Sequence, residues 1–208
     1  NTLGVGAVHP VPAEMVLAQI DAVMADIGMD AVKIGMIGSA ATAHAVADRL
    51  EQISSVPIVF DPVMVATSGS TLADSDAIAA FTRLMRCSTL TTPNLPELEA
   101  LGGEAAVLDH GCALLIKGGH GTSELLIDRL IEADGTEALW QDSRIGTPHT
   151  HGTGCTLASA IATGLAQRMR LPDAIAHARA YVRAALMAAP GLGQGHGPMG
   201  FPVEPFHP

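Results

Sequence analysis

The sequence is poor in positive charge. Its 208 residues carry 21 acidic and 11 basic side chains, a formal net charge of −10, and no run rich in Lys or Arg occurs. This balance argues against nucleic acid and against an anionic membrane as partners. An anionic ligand would have to be held by backbone amides, by a few cations or by a metal.

Cysteines and long apolar runs are also scarce. Cys87, Cys112 and Cys155 form an odd set without a C-x-x-C pair, which argues against a disulfide framework and against structural zinc. The longest apolar stretches, such as 157–166, are far shorter than the ~20 residues of a membrane span. The first residues contain no basic leader. We therefore expect a cytoplasmic protein without a membrane partner.

What the sequence does contain is a regular alternation of short apolar runs with amphipathic helical patterns. The helical patterns cover 12–27, 39–50, 75–85, 95–101, 104–110, 153–166 and 172–188, and the strand-like runs cover 31–36, 56–60, 88–92 and 112–117. This order predicts a parallel sheet with helices on both faces. Two further runs, 125–131 and 137–140, meet at Asp134-Gly135 and predict an antiparallel edge hairpin. We expect residues 1–208 to form one domain.

The stretch 148–168 joins a glycine turn to an amphipathic helix. Apolar residues recur every four positions from Leu157, so a helix is predicted to begin near Thr153. Its first backbone amides belong to Gly152, Thr153, Gly154 and Cys155. Free amides at the positive end of a helix dipole bind phosphate. We also expect this helix end to lower the pKa of the Cys155 thiol.

Polar side chains follow three of the predicted strands. Asp61 follows 56–60, Asn94 and Glu97 follow 88–92, and Lys117 ends 112–117. Ligands of open α/β sheets lie beyond the carboxyl ends of the strands, so these groups and the phosphate site predict metal-assisted phosphoryl transfer. Structural alternatives are a strand exit at Asp61, a helix cap formed by Asn94 with Glu97, and a solvated strand end at Lys117.

Several short motifs, in order along the chain, carry a family resemblance, although no P-loop is present. They are Lys33-Ile-Gly-Met36, Phe60-Asp-Pro-Val-Met64, Thr92-Pro-Asn-Leu-Pro-Glu97, Lys117-Gly-Gly-His120, His151-Gly-Thr-Gly-Cys-Thr156 and Gly195-His-Gly-Pro198. This set resembles hydroxymethylpyrimidine/phosphomethylpyrimidine kinase, the thiamine-pathway member of the ribokinase-like superfamily. The resemblance implies a three-layer α/β/α fold whose central sheet is mostly parallel with an antiparallel edge.

The resemblance also implies an activity and a set of site residues. The activity is ATP-dependent phosphorylation of 4-amino-5-hydroxymethyl-2-methylpyrimidine, and then of its monophosphate to the pyrophosphate, with Mg²⁺ as cofactor. The implied residues are Cys155 at the catalytic position with the anion hole of Gly152, Thr153 and Gly154, Asp61 and Glu97 toward Mg²⁺, Asn94 and Lys117 at the nucleotide phosphates, and Met36 and Val63 around the pyrimidine. We also expect a homodimer, and the roles of His149 and His151 stay open.

The sequence departs from the family pattern in two places. Family members begin with a strand, a turn and a glutamine that binds the pyrimidine, whereas this sequence joins the pattern after them. A helix would also normally separate Gly103 from Glu104. We therefore expect the sequence to be N-terminally incomplete, with residues omitted between Gly103 and Glu104 and also near 120–123.

Three alternative functions are compatible with these residues. A pyridoxal or pyridoxine kinase would use the same phosphate machinery on another flat ring with a hydroxymethyl group, although Cys155 and the motif 61–64 favour the pyrimidine. A Cys/His acyl-transfer enzyme would use Cys155 as nucleophile and His149 or His151 as base, but it leaves the acids and Lys117 without a role. A non-catalytic domain would bind nucleotide without turnover.

Overall fold

The fold consists of six strands and seven α-helices within the described residues. A computed structural model describes residues 1–53, 56–65, 75–120 and 123–201. The helices are α1 (Ala13–Asp26), α2 (Ala40–Leu50), α3 (Ser75–Cys87), α4 (Leu95–Ala100), α5 (Glu104–Leu108), α6 (Thr153–Ala166) and α7 (Leu171–Met187). The strands are β1 (Val32–Ile34), β2 (Ile58–Phe60), β3 (Leu90–Thr91), β4 (Ala113–Ile116), β5 (Leu125–Ile131) and β6 (Glu137–Ser143). A 3₁₀ turn, Gly118–His120, follows β4.

The strands form one sheet in the order β1-β2-β3-β4-β5-β6. Strands β1 to β4 are parallel, and β5 and β6 add an antiparallel hairpin beside β4. The hairpin turns where Asp134 Oδ1 accepts a hydrogen bond from the Thr136 amide (2.9 Å) and Gly135 has a positive φ of 84°. The predicted mostly parallel sheet with an antiparallel edge is thus confirmed.

Side chains alternate between the two faces of this sheet, as strand geometry requires. In β2, Ile58 and Phe60 join the core with α2, α3, α4 and α5, whereas Val59 joins the core with α6 and α7. Strand β4 alternates in the same way, with Leu114 on one face and Leu115 on the other. The sheet is therefore the middle of three layers, and both faces of its central strands are buried.

Side chains cap two of the helices. The Ser39 side chain accepts a hydrogen bond from the Thr42 amide (3.1 Å) at the start of α2, and Asn94 caps α4. Helix α6 packs so closely on α7 that a Cβ at Gly164 would lie only 2.9 Å from the Cβ of Ala174. None of the described helices is long and apolar enough to cross a membrane.

The structure continues directly from Gly103 to Glu104, and the expected omission of residues between them stays a prediction. Gly103 is the N-cap of α5, and its carbonyl accepts a hydrogen bond from the Val107 amide (3.2 Å). Gly102 and Gly103 have positive φ values of 92° and 89°, a conformation that glycine adopts readily. The two glycines therefore reverse the chain directly from α4 into α5. The centre of 120–123, where a second omission is expected, lies outside the described residues.

The edge-to-face contact of Phe60 with Phe81 allows a test of the core. The two rings are fully buried, 5.2 Å apart and inclined by 82°. We predict that Phe81→Ala lowers the free energy of unfolding by about 3–5 kcal/mol, since it removes a large buried ring and leaves a cavity. Leu139→Ala is the control, because Leu139 is 60% exposed and its truncation should cost no more than about 0.5 kcal/mol. Equal losses in urea denaturation would contradict this assignment of the core.

Candidate active site

The carboxyl ends of the parallel strands are held together by backbone hydrogen bonds that continue past the strands. The Asp61 amide donates to the Ile34 carbonyl, the Thr92 amide to the Phe60 carbonyl and the Lys117 amide to the Pro93 carbonyl, each at 2.9 Å. The residues after β1, β2, β3 and β4 therefore lie side by side. The predicted gathering of polar side chains at this edge is observed.

The Asp61 carboxylate lies at the centre of this edge and is only 1% exposed. Its Oδ1 accepts hydrogen bonds from Lys117 Nζ (2.7 Å) and Thr92 Oγ1 (3.3 Å), and its Oδ2 lies 3.9 Å from Lys33 Nζ. A buried charge requires such compensation, because removing an unpaired ion from water costs on the order of several kcal/mol. Asp61 therefore does more than end a strand, and the Lys117 side chain is not a solvated strand end.

The Glu97 carboxylate takes part in the cap of α4 and also lies near the Lys117 ammonium. Its Oε2 accepts from the Asn94 amide (2.8 Å) while Asn94 Oδ1 accepts from the Glu97 amide (2.9 Å), so the predicted capping box is present. The same Oε2 lies 3.7 Å from Lys117 Nζ. Burial raises the pKa of Glu97, whereas the charge of Lys117 and hydrogen bonds from the backbone of Asn94 and Met64 oppose that rise.

The first turn of α6 lies directly above Asp61 and Lys117. Gly152 precedes it with a positive φ of 84°, and the amides of Gly154 and Cys155 donate no hydrogen bond within the described part of the chain. A Cβ at Gly154 would lie 3.4 Å from Lys117 Nζ and 3.9 Å from Asp61 Oδ2. The helix end, with its unpaired amides, and the Lys117 ammonium therefore face the same space, where an anion such as phosphate can bind.

The expected lowering of the Cys155 pKa is wrong. The thiol is exposed at the opening of the site, but the protein around it removes enough water that desolvation raises its pKa. Lys33 and Lys117 lower this pKa through their charge, whereas the nearby Asp61 carboxylate raises it. The buried carboxylate opposes the stabilisation that the helix end offers a thiolate.

The carboxylates of this site suit Mg²⁺, with water and phosphate as its other ligands. Asp61 Oδ2 is buried and accepts no well-oriented hydrogen bond within the described residues, so it keeps lone pairs for a cation. Among the same residues, no group of three or more His, Cys, Asp or Glu side chains could hold a metal. Mg²⁺ typically takes only one or two carboxylates together with water and phosphate. Asp61 and Glu97, which both contact Lys117, meet this requirement.

The two residues expected around the pyrimidine lie in different surroundings. Met36 is 45% exposed and lines a cavity of about 700 Å³ beside β1, α1 and α2, which Lys33 also lines. Val63 is partly buried and its amide donates to the Asp61 carbonyl (2.8 Å), but it is not among the residues that line this cavity. The cavity adjoins the site through Lys33.

The two histidines before α6 contact the glycine-rich segment near the end of the chain. The His151 amide donates to the Gly197 carbonyl (3.2 Å), and Gly197 leaves no room for a Cβ because His149 Nδ1 lies against it. The His196 amide in turn donates to the Thr2 carbonyl (2.9 Å). The segment 191–200 therefore packs on the loop that leads into the α6 anion site.

Lys33 and Thr92 are site residues that were not assigned from the sequence. Both contact Asp61, Lys33 from within β1 and Thr92 from the exit of β3. A lysine inside an otherwise apolar strand was a usable signal for Lys33, since such a charge requires a partner or solvent. Thr92 gave no such signal, because threonine is common in strands. Both contacts depend on the register between neighbouring strands.

Comparison with known proteins gives a consistent result. Residues 1–200 match the family described as phosphomethylpyrimidine kinase. The hydroxymethylpyrimidine/phosphomethylpyrimidine kinase of Rhizobium meliloti is 43% identical over 224 residues, covering 100% of this chain and 82% of the relative. The Haemophilus influenzae protein of the same name is 39% identical over 215 residues, covering 95% of this chain and 80% of the relative.

Solved structures agree on the fold. The Bacillus subtilis pyridoxal kinase, solved as an ADP complex, superposes with a TM-score of 0.84 at 27% identity, covering 94% of this chain and 79% of that one. The phosphomethylpyrimidine kinase of Clostridium difficile superposes with a TM-score of 0.72 at 30% identity, covering 88% of this chain and 80% of that one. These neighbours confirm the predicted ribokinase-like fold.

The raised pKa of Glu97 predicts a pH-dependent effect of Glu97→Gln. A carboxyl group whose folded pKa is raised stabilises the fold below its unfolded pKa, and this contribution is lost as the pH rises through the folded pKa. Glu97→Gln removes this titration and can still cap α4. Its stability relative to the wild type should therefore increase from about pH 4 to about pH 7, as urea denaturation would measure.

Glu97→Gln also separates the negative charge of Glu97 from its role in the cap of α4. If the Glu97 charge serves catalysis, Glu97→Gln should lose at least about tenfold in turnover while keeping its stability at pH 7. Glu99→Gln, an exposed position on the same helix, is the control and should retain both. Turnover close to the wild type in Glu97→Gln would leave Glu97 with its capping role alone.

Proposed function

The chain belongs to the phosphomethylpyrimidine kinase family, and on this basis we propose how its site phosphorylates the pyrimidine. The activity is transfer of the γ-phosphoryl group of ATP to 4-amino-5-hydroxymethyl-2-methylpyrimidine, and then of a second phosphoryl group to the monophosphate. ATP is the co-substrate. The family match over residues 1–200 carries this assignment, and the α6 anion site beside Lys117 is the structural feature that suits phosphoryl transfer.

We propose that the transferring phosphoryl group lies at the first turn of α6. The anion hole would comprise the backbone of Gly152, Thr153 and Gly154 together with the Cys155 amide. Two of these amides are unpaired in the described structure, so they can stabilise charge without first breaking a hydrogen bond. Lys117 would leave Asp61 to contact the nucleotide phosphates. Asn94, whose Oδ1 is engaged in the cap, would approach them with its amide group.

Asp61 and Glu97 would hold Mg²⁺, partly through water. When bound, Mg²⁺ would neutralise negative charge on the phosphates of ATP. Both carboxylates contact Lys117 in the structure, so the lysine offsets part of their negative charge before nucleotide binds. This arrangement keeps two buried carboxylates close together without the repulsion that would otherwise separate them. Met36 and Val63 would contact the pyrimidine ring.

The proton of the substrate hydroxyl would pass to the pair formed by Cys155 and Asp61. The negative charge of Asp61 raises the pKa of the nearby thiol, so the pair can accept one proton as the new bond from oxygen to phosphorus forms. The transition state of phosphoryl transfer is loose, and the anion hole therefore contributes even when no base is present. The Cys/His acyl-transfer alternative does not fit membership of a kinase family.

A pyridoxal kinase activity is the second candidate. The observation that favours it is the TM-score of 0.84 with the Bacillus subtilis pyridoxal kinase, against 0.72 with the phosphomethylpyrimidine kinase of Clostridium difficile. Sequence similarity favours the pyrimidine, since relatives 39% and 43% identical are named hydroxymethylpyrimidine/phosphomethylpyrimidine kinase.

We further propose that the enzyme is a single-domain homodimer in the cytoplasm. The cytoplasm is a reducing compartment, which is compatible with the three free cysteines within the described residues.

The substrate assignment is tested by offering both alcohols. With ATP and Mg²⁺, the protein should convert the hydroxymethylpyrimidine to its monophosphate and then to the pyrophosphate, with a kcat/KM at least about tenfold above that for pyridoxal, a difference of ~1.4 kcal/mol in transition-state binding. Product separation by ion-exchange chromatography measures both steps. Efficient phosphorylation of pyridoxal without either pyrimidine product would replace the assignment with the second candidate.

Substitutions at Cys155 test its proposed role as a base. Cys155→Ala should lose about 10²-fold or more in turnover, as general bases usually contribute, whereas Cys155→Asp should be partly active. Because the thiol pKa is raised, wild-type kcat/KM should still increase with pH near ~8, above which an ordinary thiol ionises. Cys155→Asp should reach its plateau at lower pH. Cys87→Ala is the control, and a covalent acyl-enzyme on Cys155 would contradict the kinase role.

A further inference from the structure

A second charged cluster lies beside the turn that follows Lys117. Strand β4 ends at Ile116, and the chain turns at Gly118, whose amide donates to Asp128 Oδ1 on β5 (2.9 Å). A Cβ at Gly118 would overlap the carbonyl oxygen of Ile127, so the turn lies directly against the β5 backbone. The Asp128 carboxylate therefore fixes the peptide that immediately follows Lys117.

Asp128 is held in place by an arginine of helix α7, which belongs to one of the two outer layers. Its Oδ2 pairs with the guanidinium of Arg179 on α7, and Arg179 is buried. Arg179 also pairs with Asp142 on β6 at 2.6 Å, and Asp142 lies 3.6 Å from Arg183. A buried arginine between two carboxylates has little freedom to move, because leaving either one would strand a desolvated charge.

The turn after Lys117 has a second attachment on the same hairpin. Arg144, which follows β6, donates from its side chain to the Gly119 carbonyl (3.1 Å) and to the Ser123 carbonyl (2.9 Å). The hairpin thus contacts the described part of this turn at both ends. The Lys117 backbone is fixed on its other side, since its amide donates to the Pro93 carbonyl (2.9 Å).

We propose that Asp128 is a positioning residue for Lys117 and that Arg179 fixes Asp128 for this purpose. The inference rests on the proposed function, in which Lys117 contacts the nucleotide phosphates. Asp128 acts through the Gly118 amide: it sets the direction in which the backbone leaves Lys117 and hence the point from which the lysine side chain extends. Through Arg179, this direction depends on α7, which packs on the helix that carries the anion site.

The alternative is that the cluster only joins α7 to the hairpin, and Asp142 distinguishes the two explanations. Asp142 pairs with the same arginine as Asp128, but among the described contacts it has none with the turn after Lys117. A purely structural role predicts similar effects when either carboxylate is removed. The positioning role predicts that only Asp128 affects nucleotide use.

The experiment compares Asp128→Ala with Asp142→Ala in steady-state kinetics and thermal unfolding. Both variants should lower Tm. Asp128→Ala should raise the KM for ATP about tenfold or more, the scale set by losing a hydrogen bond to a charged group, and should leave the KM for the pyrimidine within about twofold. Asp142→Ala should keep both KM values within about twofold of the wild type. Equal changes in the ATP KM, or no change in Asp128→Ala, would overturn the proposal.

Two further measurements keep the test decisive if Asp128→Ala folds poorly or if the wild type is inactive. Asp128→Asn keeps an oxygen that can accept from the Gly118 amide but presents its NH2 group to Arg179, so its ATP KM should rise by less than the tenfold expected of Asp128→Ala; a tenfold rise would overturn the proposal. Hydrogen exchange of the Gly118 amide should accelerate at least about tenfold in Asp128→Ala and not in Asp142→Ala. Equal exchange in these variants would also overturn it, whereas a wild type inactive on both alcohols would count against the proposed function instead.

Discussion

The buried carboxylate of Asp61 is the constraint on which the site depends. It is almost completely shielded from water, and Lys117, Lys33 and Thr92 reach it from three other strands or strand exits. A desolvated charge that lost these partners would strongly destabilise the fold. The compensation of one charge therefore brings together the residues that phosphoryl transfer needs, and stability and function share the same contacts.

This arrangement changes the chemistry expected of the α6 N-terminus. A helix end alone would favour a thiolate at Cys155, but desolvation and the neighbouring Asp61 raise the thiol pKa instead. Lys33 and Lys117 oppose that effect. A cationic metal or the movement of Lys117 toward a nucleotide would alter the same balance of charge. The protonation of Cys155 is thus a property of the whole site.

Glu97 and Lys117 show that a structural contact and a functional role need not exclude each other. The capping box of α4 fixes the Glu97 carboxylate at the point where it meets the Lys117 ammonium. The backbone of Lys117 is likewise part of the sheet, extending the ladder between the exits of β3 and β4. Such shared use places catalytic candidates on rigid elements, where their geometry varies little.

The sequence by itself determined the elements of the fold and the edge at which the site lies. The alternation of apolar runs and helical stripes predicted the parallel sheet, and Asn94 with Glu97 was recognisable as a cap. Asp61, Asn94, Glu97 and Lys117 were placed by the rule that ligands bind at the carboxyl ends of strands. These features were predictable because backbone periodicity and local hydrogen bonding are encoded within a few neighbouring residues.

Only the tertiary structure decided which of these groups touch and what charge they carry. Lys33 and Thr92 reach Asp61 because strand register brings distant residues together. The direct turn from α4 into α5 depends on the positive φ values of Gly102 and Gly103. The raised pKa of Cys155 depends on burial and on the Asp61 carboxylate, 94 positions away along the chain. Desolvation and electrostatic energies are set by distances through space, and a one-dimensional pattern does not contain those distances.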